Sequence, residues 1–515
     1  MSAAEESGYD APAHEGPGWT APEAALLAGV VLTGLGVAAF LLLSPGVYLG
    51  DDAFILMTYG RNLAEGFGPV FNVGERIWGY TSPLQVAVLA VVHLAVPGVA
   101  VQLAAALSAL ELGLAALLLA ALLRRGCGAF VYPAALLLLL HPALGLFHGL
   151  ESTLVVALQC LVLALLASGR PAAAAGAAAA ACLARPDALL FALPLALLDR
   201  RLRSPRAVAA FALPGFAWLL FSALYYGAVV PNTLGAKAGL ESFASFWVDA
   251  ASWLTDPAWN GQEGGAGAFS RAVLLVANWS LLASAELRRG PAGRCLLAAL
   301  CGYPWLLVTA YAAIGPPTIY KWEIYSAHFF FLAGALFGAA QLAHGLWRLA
   351  RPRIAPRAGS VAALLVAAAL AMAALHVRLP QLLHKLDDLQ TSFFVGARYE
   401  SYRGIALWFD HHVRGSAPAL AHYEVGALGY HTRRARIVDL GGLVTPRPGP
   451  SSGEQLVAAI VAAEAPSHLL RPWRPDAGEL HFAAAGAYRP VHTFASLGYT
   501  PFTLYRRAAY RSRER

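Results

Sequence analysis

The sequence predicts a polytopic α-helical membrane protein with a small α/β domain at its C-terminal end. Three observations carry this. First, 58% of the 515 residues are apolar and only 13% are charged, about half the roughly 25% usual in soluble domains. Second, apolar runs recur at lengths near the ~20 residues that cross a bilayer. Third, after residue 376 the pattern becomes mixed and hydrophilic. A soluble chain of this size would need far more charge to cover its core. The net charge of +7 does not point to nucleic acid, because the arginines sit in short clusters between apolar runs, where orientation signals belong.

Taken in order, residues 1–24 form a tail without the basic start of a signal peptide, and a cytoplasmic location is expected for it. Residues 25–45 span outward and 46–82 form an external loop. The run 83–97 is short and ends at Pro97-Gly98, so it reads as a helix at the outer face, extending the external region to residue 99. Were it to span, every later arginine cluster would switch to the outer side. Residues 100–122 return and deliver Arg124 and Arg125 to the cytoplasm. The pairs 129–147 and 150–168, then 171–185 and 188–199, go out and back. Residues 207–227 go out, 228–270 are external with helical stretches, and 271–286, 296–313, 326–346 and 358–376 complete eleven spans. The membrane part is thus 25–376, with the N-terminus inside and the C-terminus outside.

Residues 377–515 read as a separate external soluble α/β domain. ESYRGIALWFDHH has the pattern of an amphipathic helix, HYEVGALGY and ARIVDLGG of short buried strands with Gly-rich turns, and EQLVAAIVAAEA of a second helix. The five cysteines, Cys127, Cys160, Cys182, Cys295 and Cys301, all lie in or beside apolar runs, without CxxC or metal-ligand spacing. The external domain has none, so disulfides do not hold it. No clear internal repeat is present.

On this topology the unusual polar residues collect on the outer face. Asp51 and Asp52 open the segment after the first span. His148 and Glu151 sit in HGLESTL. Arg185 and Asp187 form the next turn. Asn232 and Lys237 follow in VVPNTLGAKAG, and Lys321, Glu323 and His328 in YKWEIYSAHFF. Each has a bland reading: an i,i+3 pair for His148 and Glu151, an interhelical tie for Arg185 and Asp187, a snorkelling Lys237. Glu111, alone in an apolar run, receives no role. Gly66, Gly68 and Gly74 are turn glycines, not a phosphate loop. Five such clusters on one face describe an external cavity open to lipid, because ionisable groups at membrane depth generally pair or serve a function. A carboxylate there can act as general base toward a hydroxyl. Cations can hold a departing phosphate, and Trp78, Tyr80, Trp322 and Tyr325 can pack on sugar faces. That chemistry suits transfer from a lipid-phosphate donor. No nucleotide-binding domain is visible. No motif requires a cofactor; the acid clusters are compatible with a divalent cation, but no ligand spacing argues for one.

These stretches, DDAFILMTYGRNLAEGFGPVFNVGERIWGYTSPLQ at 51–85, HGLEST at 148–153, RPDA at 185–188, PNTLGAK at 231–237 and YEVGALGY…RIVDLGGLVTP at 423–446, give a resemblance across nearly the whole chain. The chain resembles the membrane-embedded GT-C glycosyltransferases that use polyprenyl-phosphate sugars. Within them it looks most like the bacterial terminal β-(1→2)-arabinofuranosyltransferase group acting on cell-wall arabinan. The resemblance implies an inverting transfer to an envelope glycan or glycolipid hydroxyl, with Asp51 as base and Asp52 orienting groups or contacting the acceptor. It places His148, Glu151, Arg185 and Lys237 along the donor region, where Lys321 and His328 are further candidates. Asn232, Glu323, Trp78, Tyr80, Trp322 and Tyr325 are candidates for sugar or acceptor contacts. Two stretches depart from the group: HGLES for a His-Gly-Met-Glu-Thr-like segment, and YKWEIYSAHFFF where many members carry Gly-Gly-Asp, a basic residue and Phe. The second leaves mannosyl, galactosyl or other pentosyl donors open, as well as a hexosyltransferase acting on protein or lipid. A transporter or flippase would call for paired half-spans and a repeat, and neither is visible. A non-catalytic envelope scaffold would not need the intact acid pair.

Overall fold

The computed structural model describes residues 21–44, 49–141, 144, 148–233, 243–255, 265–314, 320–350, 396–415, 417–449, 453–472, 487–494 and 501–510. The tail before residue 21, Lys237 and the expected span 358–376 lie outside these residues. The membrane part begins with α1 (Ala21–Leu43), α2 (Asp51–Ala64), α3 (Pro83–Ala95), α4 (Ala100–Cys127) and α5 (Val131–Leu139). It continues with α6 (Ser152–Ala167), α7 (Pro171–Ala184), α8 (Leu189–Leu198), α9 (Pro205–Tyr226) and α10 (Phe243–Thr255). It closes with α11 (Gly265–Ser280), α12 (Ala285–Arg288), α13 (Gly290–Leu297), α14 (Tyr303–Ile314) and α15 (Tyr325–Ala350). The chain is a polytopic helical membrane protein; helix length among the described residues does not by itself establish the expected eleven spans. Five helical runs among the described residues are long and apolar enough to cross a bilayer: 23–43, 97–139, 205–226, 290–314 and 325–349. The others are shorter; α7, with 14 residues, reaches only about 21 Å at 1.5 Å per residue, less than the ~30 Å hydrocarbon core.

Long α15 is the hub. It packs against α4, α5, α6, α10, α11 and α14, and its Phe329, Phe330, Phe331 and Phe337 are fully buried, as expected of a helix apolar on every side. Its crossing with α11 is close because Gly334 and Gly338 face Asn278 and Ala277, where a Cβ would overlap both. Small residues let membrane helices approach this way. Asn278 Nδ2 donates to the Leu300 and Phe331 carbonyls at 3.1 and 3.2 Å, tying three helices together. Glu111, left without a role above, accepts from Thr153 Oγ1 of α6 at 2.6 Å.

The segment expected as an external loop contains a buried helix. α2 shows ten consecutive buried residues from Ala53 to Asn62, and α3 packs along it. Gly60 permits that contact, since a Cβ there would lie 2.8 Å from Leu89 Cβ. Gly66, Gly68 and Gly74 follow with φ of 86°, 87° and 90° and are turn glycines.

The C-terminal domain comprises α16 (Gly396–His412), β1 (Ala419–His422), α17 (Gly426–His431), β2 (Arg436–Asp439), α18 (Gly453–Glu464), β3 (His468–Pro472), β4 (Tyr488–Phe494) and β5 (Phe502–Arg507). The sheet order is β2-β1-β3-β5-β4. β1 pairs parallel with β2 and β3, while β5 runs antiparallel to both β3 and β4. One expectation fails: HYEVGALGY is not a strand. The strand ends at His422, and Gly426 begins α17.

This domain shares a core with the membrane part. Phe54, Tyr59, Phe71 and Trp78 lie in one apolar cluster with Tyr402, Phe409, Leu420, Leu428 and Val444. Edge strand β2 is capped by Asn72, whose Nδ2 donates to the Ile437 carbonyl and whose Oδ1 accepts from the Ile437 amide, both at 2.9 Å. An edge strand left open would invite pairing with another chain. Glu75 and Glu464 hold Arg436 beside it.

Candidate active site

Successive helical residues are turned about 100° from each other, and this separates the two acids that open α2. Asp52 faces a cavity of about 490 Å3. Asp51 faces the C-terminal domain, where its Oδ2 accepts from the Gly426 amide and its Oδ1 from the Ala427 amide, each at 2.9 Å. Both sit in the first turn of α2, where the exposed amide dipoles favour negative charge.

The cavity is walled by Asp52, Ile55 and Leu56 of α2, residues 79–82, Leu150 and Glu151, Arg185 to Asp187, Leu190, Thr233, three residues of α14, Trp322 and Glu323, and Leu443. Its polar centre is Arg185. Nη1 donates to Glu151 Oε1 at 2.9 Å, Nη2 to Asp187 Oδ2 at 2.7 Å and to the Tyr311 hydroxyl at 3.1 Å, and Nε to Asp187 Oδ1 at 3.1 Å. The Tyr311 hydroxyl in turn donates to Asp187 at 2.7 Å. A guanidinium has five N–H groups in a rigid fork. These bonds use four and leave one on Nη1. The buried arginine is thereby fixed by two carboxylates, and its charge is more than balanced: Asp52, Glu151, Asp187 and Glu323 also line the cavity. Tyr80 adds a buried ring whose hydroxyl bonds that of Tyr226 at 2.9 Å. Among the described residues, no group of three or more His, Cys, Asp or Glu converges to hold a metal ion.

The C-terminal domain completes the wall. Asp439, at the end of β2, folds the next residues into a tight turn, its carboxylate accepting from the amides of Gly441, Leu443 and Val444 at 2.7, 2.6 and 3.1 Å. Burial pushes the Asp439 carboxyl up to about 6; the three amides act the other way, and nearby Asp51 raises it further. The turn sends Leu443 into the cavity and sets Leu443 O and Val444 against Gly79, where a Cβ would lie within 2.8 Å of both.

Of the residues singled out in the sequence, Asp52, Tyr80, Glu151, Arg185, Asp187, Trp322 and Glu323 meet in this cavity. Those of the rest that are described lie outside its lining. Trp78 is buried and stacks on Tyr226 with centroids 5.8 Å apart, and its carbonyl accepts from the Asn232 amide at 2.9 Å. Lys321 lies over the Trp253 ring, 4.0 Å from its centroid. His328 is in the helical core, where Nδ1 pairs with the Leu254 carbonyl at 3.0 Å, and Tyr325 donates to the Leu144 carbonyl at 2.8 Å. His148 is not the partner of Glu151, whose carboxylate turns to Arg185. The Arg185–Asp187 tie weighed above is present, and it belongs to the cavity. Tyr311 and Leu443 were not foreseen. Tyr311 carries a weak signal, a hydroxyl within an apolar span. Leu443 carries none, since it reaches the cavity only through the turn that Asp439 builds.

Comparison with known proteins adds the fold. Residues 392–510 match a family described as a domain of unknown function, DUF8728. No curated protein matches the chain. Among solved structures, ArnT from Cupriavidus metallidurans bound to undecaprenyl phosphate is similar at a TM-score of 0.59 and 14% identity, covering 94% of this chain and 98% of its own. The same protein in the apo state gives 0.58 and 15%, over 94% and 97%. The archaeal oligosaccharyltransferase AglB from Archaeoglobus fulgidus, in complex with an inhibitory peptide and a dolichol-phosphate, gives 0.52 and 14%, over 94% of this chain and 74% of its own. The chain therefore shares its fold with these proteins over 94% of its length, from membrane helices through to the C-terminal domain.

Proposed function

We propose that the protein is an inverting glycosyltransferase that moves a sugar from a polyprenyl-phosphate carrier to a hydroxyl of an envelope glycan outside the cytoplasmic membrane. The observation that carries this reading is the meeting of Asp52 with the anchored Arg185 in one cavity, between apolar helices and the C-terminal domain. Solved structures of the same fold hold undecaprenyl phosphate and dolichol-phosphate, which supports a lipid phosphate as the carrier.

In this reading Asp52, rather than Asp51, is the general base. It accepts the acceptor hydroxyl proton as the oxygen attacks the anomeric carbon. The bond from that carbon to the phosphate oxygen breaks, and the polyprenyl phosphate leaves with the electron pair. Arg185 presents its remaining Nη1–H to a phosphate oxygen, held in place by Glu151, Asp187 and Tyr311. Preorganised donors of this kind lose no energy to rearrangement during reaction. Tyr80 and Trp322 offer rings for the sugar. Arabinofuranose as the sugar rests on the resemblance alone, with mannosyl and other hexosyl donors as the alternative.

Purified protein in nanodiscs, offered labelled polyprenyl-phospho-arabinofuranose, -mannose and -galactose with oligosaccharide acceptors, should transfer one of them. Asp52→Asn should lower turnover by about 10²–10⁴, the usual worth of a general base, with unfolding temperature unchanged. Full turnover in that variant would remove Asp52 as base, and failure to bind polyprenyl phosphate would remove the donor class.

A further inference from the structure

Asp51 adjoins the proposed base in sequence yet turns away from the cavity, and both its oxygens are engaged by the backbone of another domain. Such a contact needs a very close approach, and the sequence provides it. Gly426 has no room for a Cβ, which would overlap the Asp51 carbonyl oxygen, and Gly429 is closed by the Phe71 ring. Gly79 shows the same crowding against Leu443 and Val444. Glycine at all three positions lets the C-terminal domain sit flush on the α2 segment. The Arg61 guanidinium donates to the Tyr430 carbonyl at the far end of α17, so the short helix is held at both ends. The domain held this way supplies Leu443 to the cavity.

We propose that Asp51 is a positioning residue, a clasp that seats α17 and with it the Asp439 turn, so that Leu443 closes one wall of the cavity. The clasp acts on the water-soluble substrate: a glycan acceptor approaches past the C-terminal domain, whereas a lipid-linked donor approaches between membrane helices. This second statement rests on the function proposed above; the clasp itself does not.

Hydrogen–deuterium exchange on the full-length protein in nanodiscs tests it. Exchange reports local opening, independent of any substrate. Asp51→Ala and Gly426→Ala should each speed exchange of peptides covering 424–446 at least tenfold. Asp51→Asn should fall between, since its amide keeps one acceptor oxygen. Asp52→Asn should exchange at the wild-type rate. If Asp51→Ala does not accumulate, Asp51→Asn and Gly426→Ala carry the readout. Exchange within twofold of wild type in the clasp variants overturns the proposal. In transfer assays the clasp variants should raise acceptor KM at least tenfold, with donor KM and kcat within threefold. A loss confined to kcat, with exchange unchanged, would make Asp51 catalytic and likewise overturn it. Faster exchange with no transfer from any donor would leave the clasp standing and sink the functional reading instead.

Discussion

Asp51 and Asp52 differ by one helical step, and that step gives them different surroundings: a pair of backbone amides for one and an open cavity for the other. Arg185 shows the same dependence on direction, because its fork is filled by Glu151, Asp187 and Tyr311 and only its last N–H is left for a ligand. Asp439 is the residue whose environment most clearly sets a pH dependence. Burial raises its carboxyl from 3.8 to about 6 in the folded protein. Between those values the folded state holds a proton that the unfolded state has released. Stability therefore falls as pH rises from about 4 to about 6, and the loss levels off above that. At 1.36 kcal/mol per unit, this one group accounts for about 3 kcal/mol. Thermal unfolding of wild type and Asp439→Asn across this range should show the downward slope in the wild type and its absence in the variant. Equal slopes would show that burying this charge costs little.

The helices follow from their composition, but their lengths and contacts do not. Apolar runs placed most helices within a few residues, since a chain in lipid must satisfy its backbone within each helix. What the runs hid was α2, where apolar and polar residues mix because its faces meet a cavity, α3 and another domain. HYEVGALGY misled for a related reason. Its glycines are spaced for docking against Asp51 and Phe71, which short-range alternation cannot distinguish from a strand with turns. The α11–α15 crossing offers a test at this scale. Gly338→Val would drive side-chain atoms into Ala277, and overpacking of this kind costs roughly 1–3 kcal/mol or more. The unfolding temperature in detergent should drop by several degrees, while Gly345→Ala on the same helix, with open space around it, should be neutral. Similar temperatures for the two variants would mean that the crossing is loosely packed.

At the scale of the molecule, the C-terminal domain is not an appendage. Tyr402, Val425, Leu428 and Val444 belong to one apolar cluster with Phe54, Tyr59 and Phe71 of the membrane part. Cut away, residues 392–510 would expose that face, and exposed apolar patches of this kind drive association. The isolated segment should bind a hydrophobic dye and self-associate on size-exclusion chromatography. A monodisperse, dye-silent fragment would show that the two parts fold independently. The sequence by itself determined the membrane class, the order of the helices, the α/β nature of the last domain and most of the polar residues of the site, because composition and periodicity report burial directly. Only the tertiary structure decided which acid faces the cavity, that Tyr311 and Leu443 join it, and that His148, His328 and Lys321 stand apart. Those outcomes depend on helix phase and on contacts between residues hundreds of positions apart, such as Asp51 with Gly426, and neither is carried by local pattern.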